Sequence, residues 1–284
     1  MKKGDTSKKI LLLENFCDTD IIDIVLNEVI KSFFRLRREE MVLEKIDKMT
    51  RIKDILRQTY LYVYFRTLRK SYSQTGEDCI VRWIFDVLGI KNPSYIDIGA
   101  HDPFLYSNTA MFYAQGSRGI NIEPDPLLFK RIARKRKKDI NLQMGIGNLS
   151  GTMPFYVMSA KTLSTFSEKE AKLLRDQHGY LIRDVIEVRV EPLKYVLDKY
   201  CDGVFPDFLS LDTEGFDELI LSELKMLSSL PKVICVESRE YGVSGLQNSN
   251  SIELYEMLKL LGYMLFADTY INTIFVLERC WAER

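Results

Sequence analysis

Two kinds of hydrophobic spacing divide the chain near residue 70. Upstream, apolar positions recur every three or four residues: Ile22, Val25, Val29, Phe33 and Leu36, then Val42, Leu43, Ile46, Met49, Ile52 and Leu56. That is the period of one helix face. Asp18, Thr19 or Asp20 supplies a start signal, and no Pro or Gly interrupts either run. A third stretch, 60–68, is aromatic and basic; its Tyr60, Tyr62 and Tyr64 suit packing better than stacking on sugars or bases. The pattern predicts a helical N-terminal extension over 1–70, with apolar faces buried and charged faces in water. The sharper alternatives are a homodimer contact, or peripheral attachment of a basic face to an anionic membrane.

Downstream, short apolar runs alternate with helical patterns. Strands are predicted at 95–99, 119–123, 140–146, 207–211 and 232–236, and helices at 107–115, 126–138, 216–227 and 251–261. Two closing strands, 263–267 and 273–277, flank a short turn and suggest an antiparallel edge hairpin. Strands alternating with crossover helices predict an α/β domain over 71–284 with a mostly parallel sheet covered on both faces. Between 147 and 206 the alternation breaks. A strand at 153–158 follows the Ser150-Gly151 turn, and a helix is predicted at 167–177. A half-exposed strand at 185–190 alternates Ile186, Val188 and Val190 with charged residues. This span is expected to elaborate the sheet and shape a substrate pocket.

Composition narrows the class. Hydrophobic residues make up 46% of the 284 and charged residues 28%, ordinary values for a globular chain. With 40 basic and 40 acidic side chains, a globally basic nucleic-acid binder is not expected. The neutrality hides a split: residues 1–70 carry 16 Lys and Arg against 11 Asp and Glu, a net of +5, which the remainder cancels. Five separated cysteines with no CxxC argue against a disulfide framework or a structural zinc site. The early apolar run, 10–13, ends at Glu14 and is too short for a signal peptide, so a cytoplasmic location is expected.

In an open parallel sheet, ligands bind beyond the carboxyl ends of the strands. The predicted ends carry Asp97 and Gly99, Glu123, Met144 and Gly145, Asp212 with Glu214 just after, and Glu237. Gly99 permits close backbone approach. Glu123 suits the two hydroxyls of an adenosine ribose. The fingerprint G-x-G-x-x-G is absent, because Ala100, His101 and Asp102 follow Gly99. A pyrophosphate would meet Asp102 there. A zwitterionic nucleoside fits better, and S-adenosyl-L-methionine is one, with Asp97 and Asp102 facing its cationic parts. Asp212 is placed to accept a proton from an attacking hydroxyl, and His101 is a second candidate base. Glu214 and Asp217 could share a divalent metal, although Asp217 is read first as a helix-start acid. The cluster from Lys130 to Lys138 lies late in a helix and is read as a solvated face; His178, at a polar helix end, carries no assigned role.

Jointly, these segments resemble the FkbM-type S-adenosylmethionine-dependent methyltransferases. The carrying residues are Ser73-Gln74-Thr75-Gly76-Glu77-Asp78, Tyr95 through Ala100, Ser107-Asn108-Thr109, Gly119 through Pro124, and Phe208 through Gly215. The resemblance spans residues 71–278 and leaves 1–70 outside. It implies a Rossmann-like methyltransferase fold with an antiparallel last strand. It implies methyl transfer, typically to a hydroxyl of a sugar, glycan, lipid or secondary metabolite. By motif position Asp97, Gly99, Ser107, Asn108 and Glu123 would bind the donor, with Gln74 and Asp78 near its amino-acid end. Asp212 and Glu214 would lie where the acceptor reacts. His101 departs from the Asn usual in the family. The alternatives are a nucleotide- or NAD-binding oxidoreductase, and a degenerate fold that acts as a binding module.

Overall fold

The computed structural model describes residues 71–237 and 249–283. The predicted helical extension, with its dimer and membrane alternatives, lies outside the described residues. Helix α1 (Glu77–Val87) opens the domain with Glu77 and Asp78 in its first turn, where acidic side chains favour the helix dipole. Sequence patterning had not singled it out. Strand β1 (Tyr95–Ile98) leads to the short helix α2 (Ala110–Ala114), β2 (Gly119–Ile122), α3 (Pro126–Lys135) and β3 (Ile140–Leu142). Asp125 caps α3, accepting from the Leu127 and Leu128 amides, with Pro126 at the first helical position.

The predicted third strand, 140–146, is two pieces. Strand β4 (Gly145–Ile146) leaves the main sheet and pairs with β6 (Ile182–Glu191), which also pairs antiparallel with β5 (Gly151–Met158). These three form a separate small sheet, with helix α4 (Glu168–His178) between β5 and β6. Helix α5 (Leu193–Tyr200), another unanticipated element, returns the chain to β7 (Phe208–Leu211). Then follow α6 (Asp217–Glu223), β8 (Val233–Glu237), α7 (Ser249–Leu260), β9 (Tyr263–Asp268), β10 (Asn272–Leu277) and α8 (Glu278–Ala282).

The main sheet has the order β3-β2-β1-β7-β8-β10-β9. All neighbours from β3 to β8 are parallel, and β10 runs antiparallel to both β8 and β9. This is the expected mostly parallel Rossmann-like sheet with an antiparallel edge hairpin. The chain begins in the middle, winds outward to β3, then returns to β7 on the other side of β1. The gap between β1 and β7 is thus the topological switch point, where ligands of such sheets bind.

Alternation assigns each strand residue to a face. Ile96, Ile98, Ile122, Leu211 and Val236 pack with α5, α6 and α7 side chains such as Leu197, Ile220 and Leu258. Tyr95, Phe208, Val233 and Ile274 pack on the opposite face, with Val81, Ile84 and Phe85 of α1 and Phe112 of α2. Phe85, Phe112 and Phe208 meet edge-on, with ring centroids 5.7–6.3 Å apart.

Arg136 corrects the expectation of a wholly solvated basic cluster. It is 0% exposed. Its guanidinium donates to Asp139 Oδ2 at 2.8 Å, Thr109 Oγ1 at 2.8 Å and the Tyr95 hydroxyl at 2.7 Å. It also lies over the rings of Tyr95 and Tyr113. Among the described residues no helix is long and apolar enough to cross a membrane.

Candidate active site

The register of the sheet aligns its carboxyl edge. Ile98 lies beside Ile122 and Leu211, and Leu211 beside Val236. The next residues along these strands are Gly99, Glu123, Asp212 and Glu237, so all four emerge at one level on neighbouring strands. Each lines a cavity of about 510 Å³. That volume suits a ligand the size of a nucleoside. The insertion forms the opposite wall, with Phe155, Lys161, Phe166 and Tyr180 facing the hollow.

Gly99 stands at the tightest point. Its φ is +80°, and a Cβ there would come within 1.8 Å of the Asp212 carbonyl oxygen. Only glycine lets the β1 turn pass β7 so closely. Glu123 is 4% exposed. Its Oε2 accepts the His101 amide and its Oε1 the Asp125 amide, each at 2.8 Å. One carboxylate therefore ties the turn after β1 to the start of α3. Each oxygen keeps a further lone pair for a ligand hydroxyl. Burial pushes its pKa up to about 7, against the pull of the two amides.

Across the cavity, single carboxylate oxygens of Asp212, Glu214 and Glu237 lie within 4.8 Å of one another. Asp212 opens onto the hollow. The surrounding protein and the nearby Asp217 charge push its pKa up to about 7. Glu237 is pushed up by enclosure and by the charges of Asp212, Glu214 and Asp217, and its carboxyl hydrogen-bonds Asp212. Glu214 is raised as well, by enclosure and by Asp212 and Asp217. Its backbone sits at φ 51°, and its carbonyl accepts from Thr165 Oγ1 at 2.7 Å. The oxygen-only donor set of Asp212, Glu214 and Glu237 suits a hard divalent cation. Asp217 is outside that set; its Oδ1 accepts the Thr213 amide and hydroxyl at the start of α6.

The structure brings together Gln74, Gly99, His101, Glu123, Gly145, Asp212 and Glu214 on the cavity wall. Burial lowers the His101 pKa, which favours its neutral form. Five other predicted residues are not on that wall. Asp97 faces the α1 and α2 side; its Oδ2 accepts from Thr109 Oγ1 at 2.5 Å and lies 3.9 Å from Arg136. Burial raises its pKa, and Arg136 opposes the rise. Asp78 accepts from Ser71 Oγ, Ser73 Oγ and the amides of Tyr72 and Cys79, organising the turn before α1. Asp102 accepts the amides of Phe104 and Leu105 and pairs with Arg131 at 2.7 Å. Ser107 accepts the Ala110 amide, and Asn108 donates to Ser210 Oγ. Two further residues gain a place here. Glu237 was marked in the sequence only as a strand end, and His178 as a helix-end residue with no role, yet both line the cavity. The insertion is pinned over the site by Lys161, which pairs with Asp125 at 2.7 Å.

No curated protein matches the chain by sequence search. Solved structures resemble it distantly. One is the 1,6-didemethyltoxoflavin N1-methyltransferase of Burkholderia thailandensis, solved with bound 1,6-didemethyltoxoflavin and S-adenosylhomocysteine. It is 10% identical, with a TM-score of 0.37, over 85% of this chain and 91% of that one. Another is a TehB-like SAM-dependent methyltransferase from Corynebacterium glutamicum, 11% identical, TM-score 0.36, over 78% and 97%. A third is a precorrin-6y C5,15-methyltransferase from Geobacter metallireducens, 13% identical, TM-score 0.34, over 69% and 87%. At scores this low the likeness carries nothing about ligand or reaction. The family model is decisive: the methyltransferase FkbM domain matches residues 97–265, more than half of the sequence. The chain therefore belongs to the methyltransferase FkbM domain family.

Proposed function

We propose that this chain is an S-adenosylmethionine-dependent methyltransferase acting on a hydroxyl of a small acceptor, such as a sugar, glycan, lipid or secondary metabolite. The observation that carries the proposal is one cavity at the switch point with a ribose-type acid, Glu123, on one wall and the Asp212 carboxylate on the other. The family match favours methyl transfer over the oxidoreductase alternative.

When bound, the donor supplies an electrophilic methyl group on a sulfonium. The chain's own residues do the rest. Glu123 offers two lone pairs for the ribose hydroxyls. Ile122, Leu128 and Met144 give the same wall an apolar surface for a base. Phe155, Phe166 and Phe216 exclude water opposite it. Asp212, with a pKa near neutrality, takes the proton of an acceptor hydroxyl. Glu237 hydrogen-bonds Asp212 and holds it in place. Neutral His101 is a second base within the same hollow. Alignment of acceptor and donor supplies much of the rate.

The test is incubation of the full chain with S-adenosylmethionine and a panel of hydroxylated acceptors, read by mass spectrometry. The expected result is an acceptor heavier by one methylene, with the modified atom an oxygen. Methylation only at nitrogen or carbon would refute the hydroxyl assignment and leave methyl transfer standing.

A further inference from the structure

Helix α3 and the turn after it concentrate positive charge in a domain whose own net charge, 24 basic against 29 acidic side chains, is negative. Between positions 126 and 138 there are seven basic residues and no acidic one, in a chain that is neutral as a whole. Six of the seven are exposed: Lys130, Arg131, Arg134, Lys135, Lys137 and Lys138. Of those six, Arg131 alone forms an ion pair among the described residues. Helical spacing sets Leu127, Lys130, Arg131 and Arg134 along one stripe about 10 Å long, and Lys137 and Lys138 follow in the turn after the helix.

That stripe meets an apolar projection. The Arg131–Asp102 pair, at 2.7 Å, fastens the loop after β1 to the helix. The same Asp102 carboxylate turns the loop by accepting the Phe104 and Leu105 amides. The turn leaves Phe104, Leu105 and Tyr106 exposed at 37%, 58% and 54%, and Leu127, at the head of the stripe, at 60%. Tyr106 and Leu128 line the cavity, so this surface borders its mouth.

We infer that this face docks on a lipid bilayer carrying anionic headgroups. Cations beside exposed apolar tips are the two attractions that hold a peripheral protein at an interface: Coulomb attraction to headgroups, and burial of side chains at the acyl boundary. A nucleic acid would use the cations and leave the apolar tips in water. The docking stands on this surface alone. Its consequence, that an acceptor reaches the cavity from the bilayer, rests on the proposed methyl transfer.

The experiment is co-sedimentation of the full chain with vesicles of phosphatidylglycerol mixed into phosphatidylcholine, and with vesicles of phosphatidylcholine alone. Two variants are compared with the parent: Lys130→Gln/Arg134→Gln/Lys138→Gln, and Leu105→Asp. Both change side chains outside the cavity wall, and circular dichroism checks that each is folded. The parent is expected to bind the anionic vesicles and to dissociate with added salt. The triple variant is expected to lose about fivefold in partitioning for each charge removed. Leu105→Asp keeps every cation but adds one negative charge, and is expected to lose about tenfold or more beyond the roughly fivefold due to that charge. Three results would overturn the inference. They are no binding of the parent to anionic vesicles, equal binding by parent and both folded variants, and loss in the triple variant with none in Leu105→Asp. The last would identify a simple polyanion site.

Discussion

In the proposed reaction Glu123 and Asp212 carry the chemistry, and their environments differ in a way that experiment can separate. Glu123 is almost wholly buried, with two backbone amides on its carboxylate. Replacing it with Ala removes the acceptor proposed for the ribose hydroxyls. Donor affinity, measured by titration calorimetry, should fall by roughly ten- to a hundredfold. An unchanged affinity would remove Glu123 from that role. Asp212, as the proposed base, should govern the rate. A carboxyl whose pKa is raised to about 7 is protonated below that pH and is a base above it. The rate under saturating donor should therefore rise with pH through neutrality. Asp212→Asn should flatten that limb and slow turnover by about two to four orders of magnitude. A variant that keeps the parent's pH profile would transfer the base role to another group, and His101 would be tested next.

At the scale of elements, two contacts fix where the strands and helices meet. Gly99→Ala sets a Cβ against the Asp212 carbonyl and demands φ +80° of alanine. The turn at β1 and the tip of β7 cannot both keep their places, so soluble folded protein should be lost or strongly reduced. Normal expression and a parental unfolding midpoint would contradict the close crossing. Arg136→Met removes the cation between Asp139, Tyr95 and Thr109, with Asp97 nearby. It leaves buried carboxylates without their partner and should lower the unfolding midpoint by roughly 10 °C. A change within a degree or two would show that the network contributes little.

These same elements explain what the sequence could disclose. The apolar strands β1, β2, β7 and β8 were legible because each is a short hydrophobic run ending in a glycine or an acid. Their register at one edge followed from parallel pairing. Face assignment was harder. Asp97 ends a strand, yet alternation turns it away from Ile98 and into the Arg136 network. The burial of Arg136 had a local sign: it extends the stripe Leu128 and Ile132 at steps of four. Asp139 is a local partner, but Tyr95 and Thr109 come from β1 and from the segment leading into α2, distances that helical period does not encode. Helix α1 was masked by charge: its Glu77 and Asp78 look like surface residues but are buried by hydrogen bonds. The split of the third strand into β3 and β4 depends on pairing with β6, some 40 residues on.

In the molecule as a whole, the main sheet supplies the acids, and the small sheet closes over them. The closure is held at two points, Lys161 on Asp125 and Thr165 on the Glu214 carbonyl. The cavity, the insertion and the basic stripe on α3 thus meet at one edge of the domain. The central claim is that this edge binds S-adenosylmethionine. Its most direct test is a calorimetric titration of S-adenosylmethionine and S-adenosylhomocysteine into the full chain, with Glu123→Ala in parallel. The account predicts saturable single-site binding of both ligands, weakened at least tenfold in the variant. A folded parent that gives no binding heat with either ligand up to millimolar concentration would contradict it.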